Sequence, residues 1–145
     1  MLLIRNVWLC MKGILRAARQ IIARELEPLN LSTAEGDLLF LLLTGSNGLR
    51  QEEIAEQLDV GKAAVSRAVD SLETKGYVRR ERHPEDRRAY SICLTEQAYA
   101  VQKEIIGIYE RLYQRVSMGI PDEELERVEQ LLDKVAVNLQ SWRNN

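Results

Sequence analysis

The chain has 145 residues, 46% of them hydrophobic and 29% charged, with a formal net charge of −2. That length buries a hydrophobic centre without disulfide or metal staples, and the composition excludes a disordered or low-complexity chain. No stretch approaches the roughly 18 unbroken apolar residues of a membrane span, so no membrane contact is expected.

In chain order, Ile4, Trp8, Met11, Leu15, Ala18 and Ile22 recur at alternating steps of four and three, the seam of a long helix that packs against another helix. Pro28 and Asn30 end it. "STAE" then forms a capping box, Ser32 as N-cap and Glu35 reaching back, that opens a second helix through "GDLLFLLLT". Gly45 stops that helix. "LRQEEIAEQLDVGKAAVSRAVDSLETKGYV" has the spacing of two short helices joined by a tight link: Ile54 and Leu58 on the first, Val60 and Gly61 in the link, Val65, Val69 and Leu72 on the second, and Gly76 as its closing residue. This is a helix-turn-helix layout, whose second helix presents its N-terminal residues to the DNA major groove.

After Gly76 the period changes. "YVRRER" and "RAYSICL" flank "HPEDR", whose Pro84 and Asp86 suit a turn, so a two-stranded hairpin is expected with Tyr90, Ile92 and Leu94 alternating on one face. The last third returns to helix. Thr95 is the expected N-cap of one helix carrying Ala98, Val101, Ile105, Ile108 and Leu112. Gly119 breaks it, and Pro121, at a first helical position with "DEE" behind it, starts a final helix with Leu125, Val128, Leu132, Val135, Leu139 and Trp142 on one stripe. So much apolar stripe beyond a small central module suggests a partner, most simply a second copy of the chain; a monomeric bundle whose helices cover one another is the alternative.

Charge is informative once divided along the chain. Residues 1–61 carry 6 basic and 8 acidic side chains, residues 62–90 carry 8 and 5, and residues 91–145 carry 6 and 9. A positive stretch on a mildly negative molecule is the footprint of a face that meets a polyanion; a solvated charged hairpin is the plainer reading. The two cysteines, Cys10 and Cys93, are far apart and form no C-x-x-C pair, which fits a reducing cytoplasm. The apolar N-terminus is interrupted by Arg5, Asn6 and Lys12 and lacks a basic leader and a cleavage site, so a soluble cytoplasmic protein is expected.

The stretch "VSRAVDSLETKGYVRRERHPEDRRAYSICLTEQA" resembles the recognition helix, wing and following helix of the MarR family of winged helix-turn-helix transcription regulators. Leu72, Gly76, Val78, Arg80, the Asp86-x-Arg88 pair and "LTE" at 94–96 stand in that family's order and spacing, with Ala98 departing where a Gly commonly follows. The resemblance implies a mainly α fold with a small β-hairpin wing, in three parts: residues 1–31 as an N-terminal dimerisation helix, 32–94 as the DNA-binding lobe and 95–145 as C-terminal dimerisation helices. It implies a homodimer held by residues such as Ile4, Trp8, Met11, Leu15, Leu125, Val128, Leu132, Val135, Leu139 and Trp142. It also implies that Arg88 enters the minor groove at the wing tip, buttressed by Asp86, with Arg87 on phosphate; an Asp86–Arg88 ion pair that only stabilises the turn is the alternative. Arginine suits this task because its guanidinium stays charged and narrow A·T-rich grooves concentrate negative potential.

At the start of the recognition helix stand Lys62, Ala63, Ala64, Ser66 and Arg67. Arg67 has the two-pronged donor geometry for guanine, Ala63 or Ala64 suits a thymine methyl, and Ser66 and Lys62 suit phosphate. Arg67 pairing with Asp70 or Glu73 on its own helix is the alternative. Arg50 and Gln51, opening the preceding helix, are further phosphate candidates. Some relatives sense peroxide through an N-terminal cysteine, but Trp8 is the only aromatic on the helix of Cys10, and a structural cysteine is expected. One histidine, His83, builds no zinc site. Other relatives bind small aromatic or anionic effectors between dimerisation helices and DNA-binding lobe; Arg16 and Arg19 face such a pocket or simply the solvent. No cofactor is expected. The chain has no Gly-rich phosphate loop and no Ser/His/Asp or Cys/His arrangement, so a non-enzymatic regulator is expected. A winged-helix module that contacts proteins instead of an operator is the other reading.

Overall fold

The computed structural model describes residues 1–145 except Pro84, Arg87 and Arg88. By packing, the chain divides into two compact units, Met1–Leu112 and Tyr113–Asn145. Most of the fold is helical, with one small antiparallel sheet. No helix among the described residues is long and apolar enough to cross a membrane.

In the first unit, α1 (Leu2–Leu26) runs into a 3-10 turn at Glu27–Leu29, where Pro28 cannot continue the hydrogen-bond ladder. Asn30 then takes the left-handed conformation (φ 56°) and redirects the chain. Helix α2 (Thr33–Thr44) starts with the expected capping box: the Glu35 N–H donates to Ser32 Oγ at 3.2 Å and the Ser32 N–H to Glu35 Oε1 at 3.0 Å. Leu38, Leu39 and Leu42 are buried on α2. At Gly36 the helix accepts Leu26 of α1 so closely that a Cβ there would lie 2.3 Å from Leu26 Cδ1 and 3.1 Å from the Tyr109 hydroxyl.

Helices α3 (Gln51–Leu58) and α4 (Lys62–Thr74) form the expected helix-turn-helix, and Ile54, Val65, Val69 and Leu72 are buried in one core with α2. Gly76, at φ +87°, ends α4 in the region that favours glycine. Strands β2 (Val78–Arg82) and β3 (Tyr90–Leu94) pair with Arg80 opposite Ile92.

A short strand that the hydrophobic pattern did not announce, β1 (Leu49–Arg50), pairs with the other edge of β3, so the order is β1-β3-β2. This corrects the expected alternation on β3. Tyr90 is exposed, whereas Ser91, Ile92, Cys93 and Leu94 are all buried. A central strand is covered on both faces: α2 and α3 pack on it, Glu81 Oε2 meets the Cys93 thiol at 3.5 Å, and Asn47 Oδ1 accepts the Leu94 N–H at 2.9 Å.

The expected single helix after Thr95 is two: α5 (Glu96–Ala100) and α6 (Gln102–Val116). At Val101 (φ −105°, ψ 11°) the N–H bonds Ala98 in a tighter turn, and the apolar seam continues through buried Ala98, Ile105, Ile108 and Leu112. In the second unit, Gly119 (φ +79°) follows the end of α6. Pro121 is the N-cap of α7 (Asp122–Arg143), one position earlier than expected. Asp122, Glu123 and Glu124 lie in its first turn and Arg143 in its last, matching the helix dipole.

Candidate nucleic-acid interface

Helix α4 buries Val65, Ala68, Val69 and Leu72 and therefore turns Lys62, Ala63, Arg67 and Asp70 to solvent, with Ala64 and Ser66 half-buried. Five of the residues expected to read DNA thus stand in the first two turns of one helix. Its N-cap is Gly61, which is exposed and offers no capping side chain, so no side chain caps the positive end of the helix.

Arg67 makes no hydrogen bond or ion pair among the described residues. Its alternative partners are taken by another arginine. Arg80, on β2, donates to Asp70 Oδ1 at 2.5 Å, to Glu73 Oε1 at 2.9 Å and to Gln51 Oε1 at 3.3 Å. One guanidinium therefore ties the sheet to both helices of the helix-turn-helix. It also neutralises two carboxylates on the solvent side of α4, which would otherwise repel a polyanion.

Sequence reasoning singled out Arg80 only as part of a family pattern. Its role as a clamp joins residues 7, 10 and 29 positions away, a pairing that neither helical nor strand periodicity reports.

The basic run beyond α4 is correspondingly less open than its charge suggests. Arg79 pairs with Glu81 at 2.6 Å, and the Arg82 guanidinium lies over the Tyr90 ring at 5.9 Å. Three of the five arginines between 79 and 88 thus have partners within the fold. The other two, Arg87 and Arg88, lie outside the described residues, and with them the expected Asp86–Arg88 pair. Asp86 itself is exposed in the wing turn, where its carbonyl accepts the Ala89 N–H at 3.1 Å; the His83 N–H donates to the Ala89 carbonyl at 2.9 Å.

Between the wing and the two helix starts runs a groove of about 450 Å³ lined by Arg50, Gln51, Glu52, Lys62, Asp86, Ala89 and Tyr90. The structure thus brings the expected phosphate candidates Arg50, Gln51 and Lys62 to one cleft. Glu53 Oε1 accepts from both the backbone N–H (3.2 Å) and Nε (3.0 Å) of Arg50. The pairing raises the Arg50 pKa and lowers that of Glu53. Burial raises the pKa of the Cys93 thiol, helped by the neighbouring Glu81 carboxylate, so Cys93 is held as the unreactive thiol. Among the described residues no three His, Cys, Asp or Glu side chains gather as a metal site.

Helix-turn-helix, flanking strands and an outward recognition helix define a winged helix-turn-helix DNA-binding protein. A family model described as MarR family matches residues 29–89. The transcriptional regulator PA3341 is 31% identical, with a TM-score of 0.83 over 93% of this chain and 98% of that one. S. aureus MepR, solved in a DNA-binding conformation, has the same fold at 24% identity (TM-score 0.83; 92% and 98% covered). CouR from Rhodococcus jostii, solved bound to p-coumaroyl-CoA, has it at 22% identity (TM-score 0.80; 90% and 92% covered). The chain belongs to the MarR family of transcription regulators.

Proposed function

We propose that the protein is a homodimeric repressor that binds a pseudo-palindromic operator, its two recognition helices entering successive major grooves about one helical turn apart. The observation that carries this reading is the exposed start of α4, where Lys62, Ala63 and Arg67 face outward while Arg80 neutralises Asp70 and Glu73 beside them. In this reading Arg67 reads a base, Ala63 and Ala64 meet thymine methyls, and Ser66, Lys62, Arg50 and Gln51 hold phosphate. Gln51 does so through its amide NH2, since its oxygen accepts from Arg80. Arg88, buttressed by Asp86, enters the minor groove, and Arg87 contacts phosphate. Binding and release are the whole of its chemistry, and its place of action is the cytoplasm.

The dimer reading is supported by apolar side chains left exposed on the single chain: Ile4, Trp8 and Leu15 on α1, and Val128, Leu132, Leu139 and Trp142 on α7. A small anionic, aromatic effector suits an open groove of about 490 Å³ beside α1, lined by Lys12, Leu15, Arg16, Arg19, Gln20, Ala23 and Thr33. Three cations and an apolar floor complement such a molecule; CouR, of similar fold, binds an aromatic acyl thioester of this character.

Selection of bound duplexes from a random pool tests the proposal. Enrichment of an inverted repeat, with affinity falling as salt rises, is the expected result. Binding that enriches nothing would sink the operator reading and favour a protein-contacting module.

A further inference from the structure

We infer that Glu35 and Lys75 form a clamp that sets the orientation of the recognition helix relative to α1, and through it the half-site spacing that the protein accepts. The inference rests on the proposed dimeric operator binding. Lys75 is the C-cap residue of α4, yet its ammonium reaches back to Glu35, at 2.9 Å from Oε2 and 3.1 Å from Oε1, and donates to the Asn30 carbonyl at 2.6 Å. One turn earlier on α4, Ser71 Oγ donates to Glu35 Oε2 at 3.1 Å. Two points one turn apart on the same helix face are therefore fixed to the start of α2 and to the left-handed joint where α1 ends. Two such points on a helix already packed by its apolar face restrict its tilt more than one would.

Glu35 is only 5% exposed. Burial raises its pKa, but hydrogen bonds from Lys75, Ser32 and Ser71 outweigh that, and its carboxyl stays below its ordinary value. The Glu35 carboxylate is thus ionised at neutral pH. Val65, Ala68, Val69 and Leu72 pack α4 into one core with α2, and the clamp adds polar contacts at the rim of that core. On one side of the clamp a cleft of about 340 Å³ opens among Ala23, Glu27, Asn30 and Leu31. On the other a cleft of about 310 Å³ opens among Ala34, Ala64, Arg67 and Ala68, beside the N-terminal half of α4, which carries the reading side chains. The apolar core holds α4 against α2, and the polar contacts between the two clefts set its remaining tilt. Glu35 and Lys75 are accordingly positioning residues: they touch no DNA and act through where Arg67 and Lys62 are carried.

The test compares wild type, Lys75→Arg, and the double variant Glu35→Gln with Lys75→Met, which leaves no buried unpaired charge and retains an acceptor for the Ser32 N–H. Each is offered duplexes whose two half-sites are separated by systematically varied spacers, and its thermal melting is recorded. Wild type and Lys75→Arg should share one sharply preferred spacing. The double variant should lose roughly 2- to 30-fold in affinity at that spacing while binding neighbouring spacings as well as or better than wild type. A double variant that melts lower but keeps the wild-type spacing profile, or weakens equally at every spacing, would overturn the clamp. Wild type with no spacing preference would overturn the operator reading instead.

Discussion

Arg67 and Arg80 show how one residue type serves two ends within one small lobe. Arg80 is consumed by Asp70, Glu73 and Gln51, whereas Arg67, one turn before Asp70 on α4, has no partner among the described residues. An exposed arginine without a partner gives up rotamer freedom on binding, but its planar fork loses less per hydrogen bond formed and its whole donor set is open to a base edge. Arg67→Ala should therefore weaken binding to the selected operator by about 1–3 kcal/mol and relax preference at a single base position, read by titrating that variant against duplexes substituted one base pair at a time. Equal weakening on every duplex would make Arg67 a phosphate contact. At this scale the sequence was a good guide to which residues stand on the outward face of α4, because apolar spacing settles which face is buried. It could not show which arginines are spoken for. Acid–base pairs here join strand to helix, and charge counting along the chain treats Arg79, Arg80 and Arg82 as if they were open.

The elements themselves were legible wherever a local signal acts alone. The Ser32 capping box, the Pro28 stop and Gly76 closing α4 all reappear in the structure, and Ala98, Ile105, Ile108 and Leu112 of the seam after Thr95 are buried. The misses are places where tertiary structure decides. Strand β1 is two residues long and exists only because β3 offers it an edge. Residues Ser91 to Leu94 lose their alternation because a central strand is covered on both faces. The break at Val101 leaves the apolar spacing intact, so periodicity does not record it. Packing between elements also explains Gly36, which composition marks only as a poor helix former. Its missing Cβ admits Leu26 and the Tyr109 hydroxyl, and that hydroxyl donates to Asp37 at 2.6 Å. Gly36→Ala gains helix propensity of at most about 1 kcal/mol but overpacks the α1–α2 contact at a cost of about 1–3 kcal/mol. Thermal melting should drop for this variant; a higher melting temperature would show that Leu26 moves aside freely.

For the whole molecule, the decisive feature is apolar surface that the single chain leaves uncovered. Helix α1 buries only Ile22 and Leu26, and Trp8 is 46% exposed; no residue of α7 is buried. Covering one large apolar side chain contributes about 1.5–3 kcal/mol, against an association cost of about 4–15 kcal/mol. A symmetric interface counts every such side chain twice, so covering several exposed residues of α1 and α7 would offset that cost in the proposed dimer. A net charge of −2 gives no general attraction to DNA, so binding must come from the local face. The most direct test is therefore a paired titration at fixed, near-physiological salt: the selected operator and a scrambled duplex of equal length, with the mass of each complex recorded. Two chains per operator and a preference of at least about a thousandfold over the scrambled duplex are predicted. Equal affinity for both duplexes, or one chain per operator at saturation, would contradict the proposed function.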